Sequence, residues 1–203
     1  MTSDSKLPDW HWHVGDPTAL GWLTLLGYLL CAWACWRAWR TGRFVAHTLH
    51  TSQPVEAADQ ARLAAWWLSV GGVMLLLGLN KELDLQELLG LWGKEAARKQ
   101  GWYEQRRVVQ GVFVAALVLG AVAALGLTAY ALRHVLKHIA VGLLGLGLVF
   151  AYALLRAALF HAVRDPSAQA GLEWIWQLEL AGIALVAWAA WGAARPLRQG
   201  APQ

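Results

Sequence analysis

Apolar residues in this chain fall into five long runs, and the polar residues between them are distributed unevenly. The runs are Thr18 to Trp36, Leu63 to Leu79, Val108 to Leu132, Ile139 to Val163, and Leu172 to Ala194. Crossing the hydrocarbon core takes roughly 20 residues of helix, and each run meets that length approximately. The pattern predicts an all-α membrane protein in which residues 1–203 form a single bundle of five transmembrane helices.

The segment from Lys81 to Arg107 is too charged to cross a membrane and too regular for a loop. Leu85, Leu88, Leu89, Trp92 and Ala96 recur at the spacing of one helix face, which predicts an amphipathic helix over about 84–100 lying on the membrane surface. Asp84, followed three residues later by Glu87, is suited to cap its first turn. Asp16-Pro17 and Asp165-Pro166 each precede an apolar run, where Asp caps a helix and Pro suits its first position.

Composition agrees with this reading. The chain is 58% hydrophobic and 15% charged over 203 residues, leaving too few polar side chains to cover a soluble globule of that size. No basic start precedes the first apolar run, since Asp4, Asp9 and Asp16 stand there, so a cleaved leader is not expected.

Charge then orients the bundle. With five spans, Arg37, Arg40, Arg43, Arg62, Arg133, Lys137, Arg195 and Arg198 share one side with only Glu56 and Asp59. The other side holds the remaining nine basic and eleven acidic residues. Basic residues collect in cytoplasmic loops, so a bacterial inner membrane with a periplasmic N-terminus and a cytoplasmic C-terminus is expected, and the surface helix is periplasmic. The net charge of +4 then reflects loops facing anionic lipid, not nucleic-acid binding.

Fourteen tryptophans suit the two interfaces, where an indole is half dry and half wet. Trp10, Trp12, Trp102, Trp174 and Trp176 are expected in the outer belt, and Trp33, Trp36, Trp39, Trp188 and Trp191 in the inner one. Cys31 and Cys35, four residues apart, and the glycines of the third and fourth runs read as small packing residues.

The chemistry-bearing residues gather on the predicted periplasmic side. Arg156 lies ten residues before Pro166 and Glu179 nine after Ala170, so the two come to similar depth and could form a buried ion pair. His11, His13, His161 and Asp165 could bind zinc or another transition metal, which typically needs three protein ligands and an open position. Glu82 or Glu104 could then serve as base. Arg106 and Arg107, with Trp102 and Tyr103, could grip an anionic headgroup. No HExxH, CxxC, serine elbow or phosphate loop is present, and a haem, quinone or pigment would need no motif.

The runs GLNKELDLQ, ARKQGWYEQRRVVQ and HWHxGDP, with the RA..FH...D end of the fourth span, resemble a family of bacterial polytopic inner-membrane proteins of about this length that has no established activity. The likeness covers nearly the whole chain. In that family pattern a second histidine often follows the FH pair, where this chain has Ala162, a departure that counts against His161 as a metal ligand. The resemblance implies the topology and the outer polar cluster. Two functions fit the sequence: a non-catalytic accessory or assembly subunit of a larger membrane complex, or a small metal-assisted hydrolase or transferase of a lipid-linked substrate. Expected partners are the lipid bilayer and other membrane subunits.

Overall fold

The computed structural model describes residues 18–50, 52–83, 106–162 and 175–195. These form five helices: α1 (Ala19–Leu49), α2 (Pro54–Leu83), α3 (Arg106–Ala131), α4 (Leu136–Ala162) and α5 (Trp176–Ala193), with a 3-10 turn at Arg133–Val135 leading into α4. There is no strand among the described residues. Among the described residues, four helices are long and apolar enough to cross a membrane, over Ala19–Leu49, Pro54–Lys81, Gly111–Ala131 and Arg133–Arg156. The described part of α5 is 18 residues and carries Glu179 in its first turn. The surface helix expected over 84–100 lies outside the described residues.

Local signals set the ends. Thr18 caps α1, its Oγ1 accepting from the Gly21 amide at 3.1 Å, which satisfies one of the free donors of the first turn. The expected Asp16 cap lies outside the described residues, as do both Asp-Pro pairs. Pro54 opens α2, where its missing N–H costs nothing. At the turn before it, the Gln53 amide donates to the Leu49 carbonyl at 2.8 Å.

The first two helices extend beyond the apolar runs. The sequence reads as a polar connector between Trp36 and Leu63, yet α1 continues to Leu49 and α2 starts at Pro54. Arginine at i+4 over tryptophan accounts for part of this. The guanidinium groups of Arg37, Arg40 and Arg43 lie 5.1, 4.9 and 5.8 Å from the rings of Trp33, Trp36 and Trp39. Each pair supports the helical turn between its members by cation–π attraction. Arg37 also sits 4.8 Å from the Trp191 ring, which ties α1 to α5.

Helices α1, α2, α4 and α5 share one core that includes Tyr28, Cys31, Cys35, Trp67, Met74, Ile139, Val149 and Val186. Cys31 and Cys35 are buried free thiols. Trp66 and Trp67 are buried as well, so these two indoles are core residues and not part of a belt. Gly142 makes room for one of them, because a Cβ there would lie 3.0 Å from Trp67 Cη2. Lipid tails are as apolar as leucine, so helices in a bilayer associate through close packing and polar contacts.

The closest approach is between α4 and α5. A Cβ at Gly145 would lie 2.8 Å from the Gly182 carbonyl oxygen, and one at Gly182 would lie 2.7 Å from that of Gly145 and 2.6 Å from Val149 Cγ2. The two glycines bring the backbones together reciprocally. Helix α3 packs beside α4 and buries none of its apolar window. Its exposed Val112, Phe113, Leu119 and Val122 join Trp22, Leu26, Leu30 and Leu76 in an apolar exterior, the reverse of a water-soluble surface.

Gly182→Ala should lower stability by about 1–3 kcal/mol through overpacking. Gly120→Ala, with nothing within 4 Å of the new carbon, should be neutral or gain up to about 1 kcal/mol of helix propensity. Unfolding of the two variants in matched detergent provides the comparison.

Candidate functional site

A polar site lies between α1, α2, α4 and α5, at the end opposite the α1–α2 turn. Its centre is Glu179, with 1% of its surface exposed. An isolated carboxylate this deep is costly unless its charge is balanced. Balance comes from Lys81, whose Nζ donates to Oε2 at 2.9 Å and to Oε1 at 3.1 Å. The hydroxyl of Tyr28 donates to Oε1 at 3.1 Å. Three elements therefore meet on one carboxylate: α1 through Tyr28, α2 through Lys81 and α5 through Glu179.

Packing positions these groups. Gly78 faces Tyr28, and a Cβ there would sit 3.1 Å from the Tyr28 Cβ. That close approach of α1 and α2 brings Lys81, three residues further along α2, onto the same side of the helix. The lysine stem runs through apolar surroundings while its amine finds the carboxylate, as a long amphipathic side chain can.

Beside the ion pair, α4 contributes Tyr152 and Arg156. Arg156 donates through Nη1 to the Tyr152 hydroxyl at 3.1 Å. Tyr28, Leu77, Asn80, Lys81, Tyr152, Ala153, Arg156 and Glu179 together line a cavity of about 40 Å³. Such a space is enough for one or a few waters, each needing two to four polar partners, which this lining supplies.

The sequence placed Arg156 and Glu179 at one depth, and both line this cavity. Among the described residues, Lys81 is in ionic contact with Glu179. Sequence reasoning missed Lys81 because it was assigned to the polar segment after the second span. Tyr28, which reads as one more aromatic in an apolar run, was missed as well. The available signal was Gly78 with Lys81 three residues later at the end of an apolar helix.

Of the other expected site residues, Glu82 falls on α2, Arg106 and Arg107 open α3, and His161 is near the end of α4. His11, His13, Trp102, Tyr103, Glu104 and Asp165 lie outside the described residues. Among the described residues, no three His, Cys, Asp or Glu side chains gather closely enough to hold a metal.

The site can hold a fixed internal charge and a small amount of water, and its carboxylate is already engaged by three hydrogen bonds. Tyr28→Phe should therefore cost about 1–3 kcal/mol, the penalty for removing one donor to a buried charged acceptor. Tyr130→Phe, at an exposed ring beneath Arg133, should change stability by less than about 0.5 kcal/mol. Thermal unfolding in detergent checks both. No family model, no curated protein and no solved structure matches the chain, and its function is read from its own residues.

Proposed function

We propose that this chain is a non-catalytic integral component of a bacterial inner membrane, an accessory or assembly subunit of a larger membrane complex. It crosses the bilayer five times, α5 included, with the N-terminus periplasmic and the C-terminus cytoplasmic. The observation that carries this reading is the network on Glu179. A carboxylate on α5 that accepts three hydrogen bonds from Lys81 on α2 and Tyr28 on α1 acts as a joint between helices.

Two further features support it. Helix α3 touches the bundle through α4 and leaves its apolar window unburied, a surface available to lipid or to a neighbouring subunit. At the end with the α1–α2 turn, Arg37, Arg40, Arg43, Arg62, Arg133, Lys137 and Arg195 stand against Glu56 and Asp59, which favours a cytoplasmic location for that end.

Metal content separates this reading from a metal-assisted hydrolase. Full-length protein purified from membranes in mild detergent is expected to carry no stoichiometric transition metal and to migrate with a second protein in native gels. Stoichiometric zinc that disappears with His161→Ala would overturn the proposal. The orientation has its own test. Ser52→Cys, at the exposed α1–α2 turn, should react with a membrane-impermeant maleimide only after the cells are opened, and labelling of intact cells would reverse the topology. The native Cys31 and Cys35 are buried and should stay silent.

A further inference from the structure

A second cavity, of about 370 Å³, lies at the opposite end of the bundle from Glu179, between α1, α2, α4 and α5. Its floor is formed by the buried Ala38, Ala64 and Trp67, with Leu63 and Val45 on its apolar walls. Arg195, His138, Thr41 and Gln60 supply nitrogen and oxygen groups around it, and among the described residues no carboxylate lines it. Thr41 donates through Oγ1 to the Ala194 carbonyl at 3.5 Å, which fastens α1 to the end of α5 at the cavity wall. Among the described residues, no acidic side chain is within ionic distance of Arg195.

We propose that this cavity seats the phosphate headgroup of an anionic glycerophospholipid. Its volume falls in the range of roughly 300–1,000 Å³ typical of small-molecule sites. The planar guanidinium of Arg195 matches a phosphate through paired hydrogen bonds, and Gln60 and His138 offer further donors. Apolar walls beside a cationic rim suit a ligand that is charged at one end and greasy at the other, which distinguishes a lipid from a free anion. The cavity is lined by Ala193 and Arg195 at the C-terminal end of α5, and basic pockets between membrane helices are a common lipid-recognition device. Gly192 and the adjoining Ala193 line the cavity, and a Cβ at Gly192 would meet nothing within 4 Å, so small residues leave space there.

Native mass spectrometry of the full-length protein in detergent tests this, with dioleoyl phosphatidylglycerol, dioleoyl phosphatidylcholine and inorganic phosphate as probes. The expected result is one phosphatidylglycerol per chain, held at least about tenfold more tightly than phosphatidylcholine and undisturbed by millimolar phosphate. Arg195→Gln should weaken that binding about tenfold at unchanged melting temperature, and Gly192→Leu should weaken it by filling part of the cavity. Arg43→Gln, over the Trp39 ring, should leave it intact. Equal binding of the two lipids overturns the proposal, as does unchanged affinity in both cavity variants. Displacement of the lipid by inorganic phosphate overturns it too, and identifies a free-anion site. Binding in detergent is indifferent to which side of the membrane the cavity faces, so a negative result leaves the topology standing.

Discussion

A carboxylate in the interior of an apolar helical bundle has to be neutralised by something nearby, and much of this structure follows from how Glu179 is. Its partner Lys81 is on α2 and its hydroxyl donor Tyr28 on α1, so a single charge holds three helices at one depth. The close approach at Gly78 that brings Tyr28 and Lys81 together matters for the same reason. Without strong hydrophobic drive between helices in lipid, directional polar contacts and close backbone approach fix the arrangement. The Gly145–Gly182 crossing supplies the second of these between α4 and α5. Arg37, clasped between Trp33 and Trp191, supplies a further tie between α1 and α5 away from the ion pair.

The two ends of the bundle differ in kind. At the Glu179 end, Lys81 and Tyr28 meet the carboxylate and Arg156 meets Tyr152 around a space of about 40 Å³. At the other end a cavity of about 370 Å³ is ringed by donors and by a guanidinium without a carboxylate partner among the described residues. An ion pair shared among three helices suits a mechanical role, whereas positive charge beside apolar walls suits a ligand that brings its own negative charge.

Four membrane-length helices were legible in the sequence because apolar length alone identifies them. The true length of α1 was not, since RAWRTGR reads as a basic connector until each arginine is seen to lie over the tryptophan four residues before it. Counting from the predicted hairpin puts Arg156 and Glu179 at one level, and both line the same cavity. Which cation faces the carboxylate depends on helix rotation and on the order of helices around the bundle, and sequence distance contains neither. Lys81 therefore passed as part of a surface segment and Tyr28 as an ordinary core aromatic. The cavity ringed by Arg195 and His138 was equally hidden, because its lining comes from four helices far apart in the chain.

The role of Glu179 as the joint is tested most directly by a double-mutant cycle of Lys81→Met and Glu179→Leu, read as unfolding free energy in detergent. Either single change strands one charge, and Lys81→Met should cost on the order of 3–5 kcal/mol, while the double variant should recover most of that loss. A coupling of about 2 kcal/mol or more is the predicted result. A coupling under about 0.5 kcal/mol, the level at which independent sites add, would contradict it.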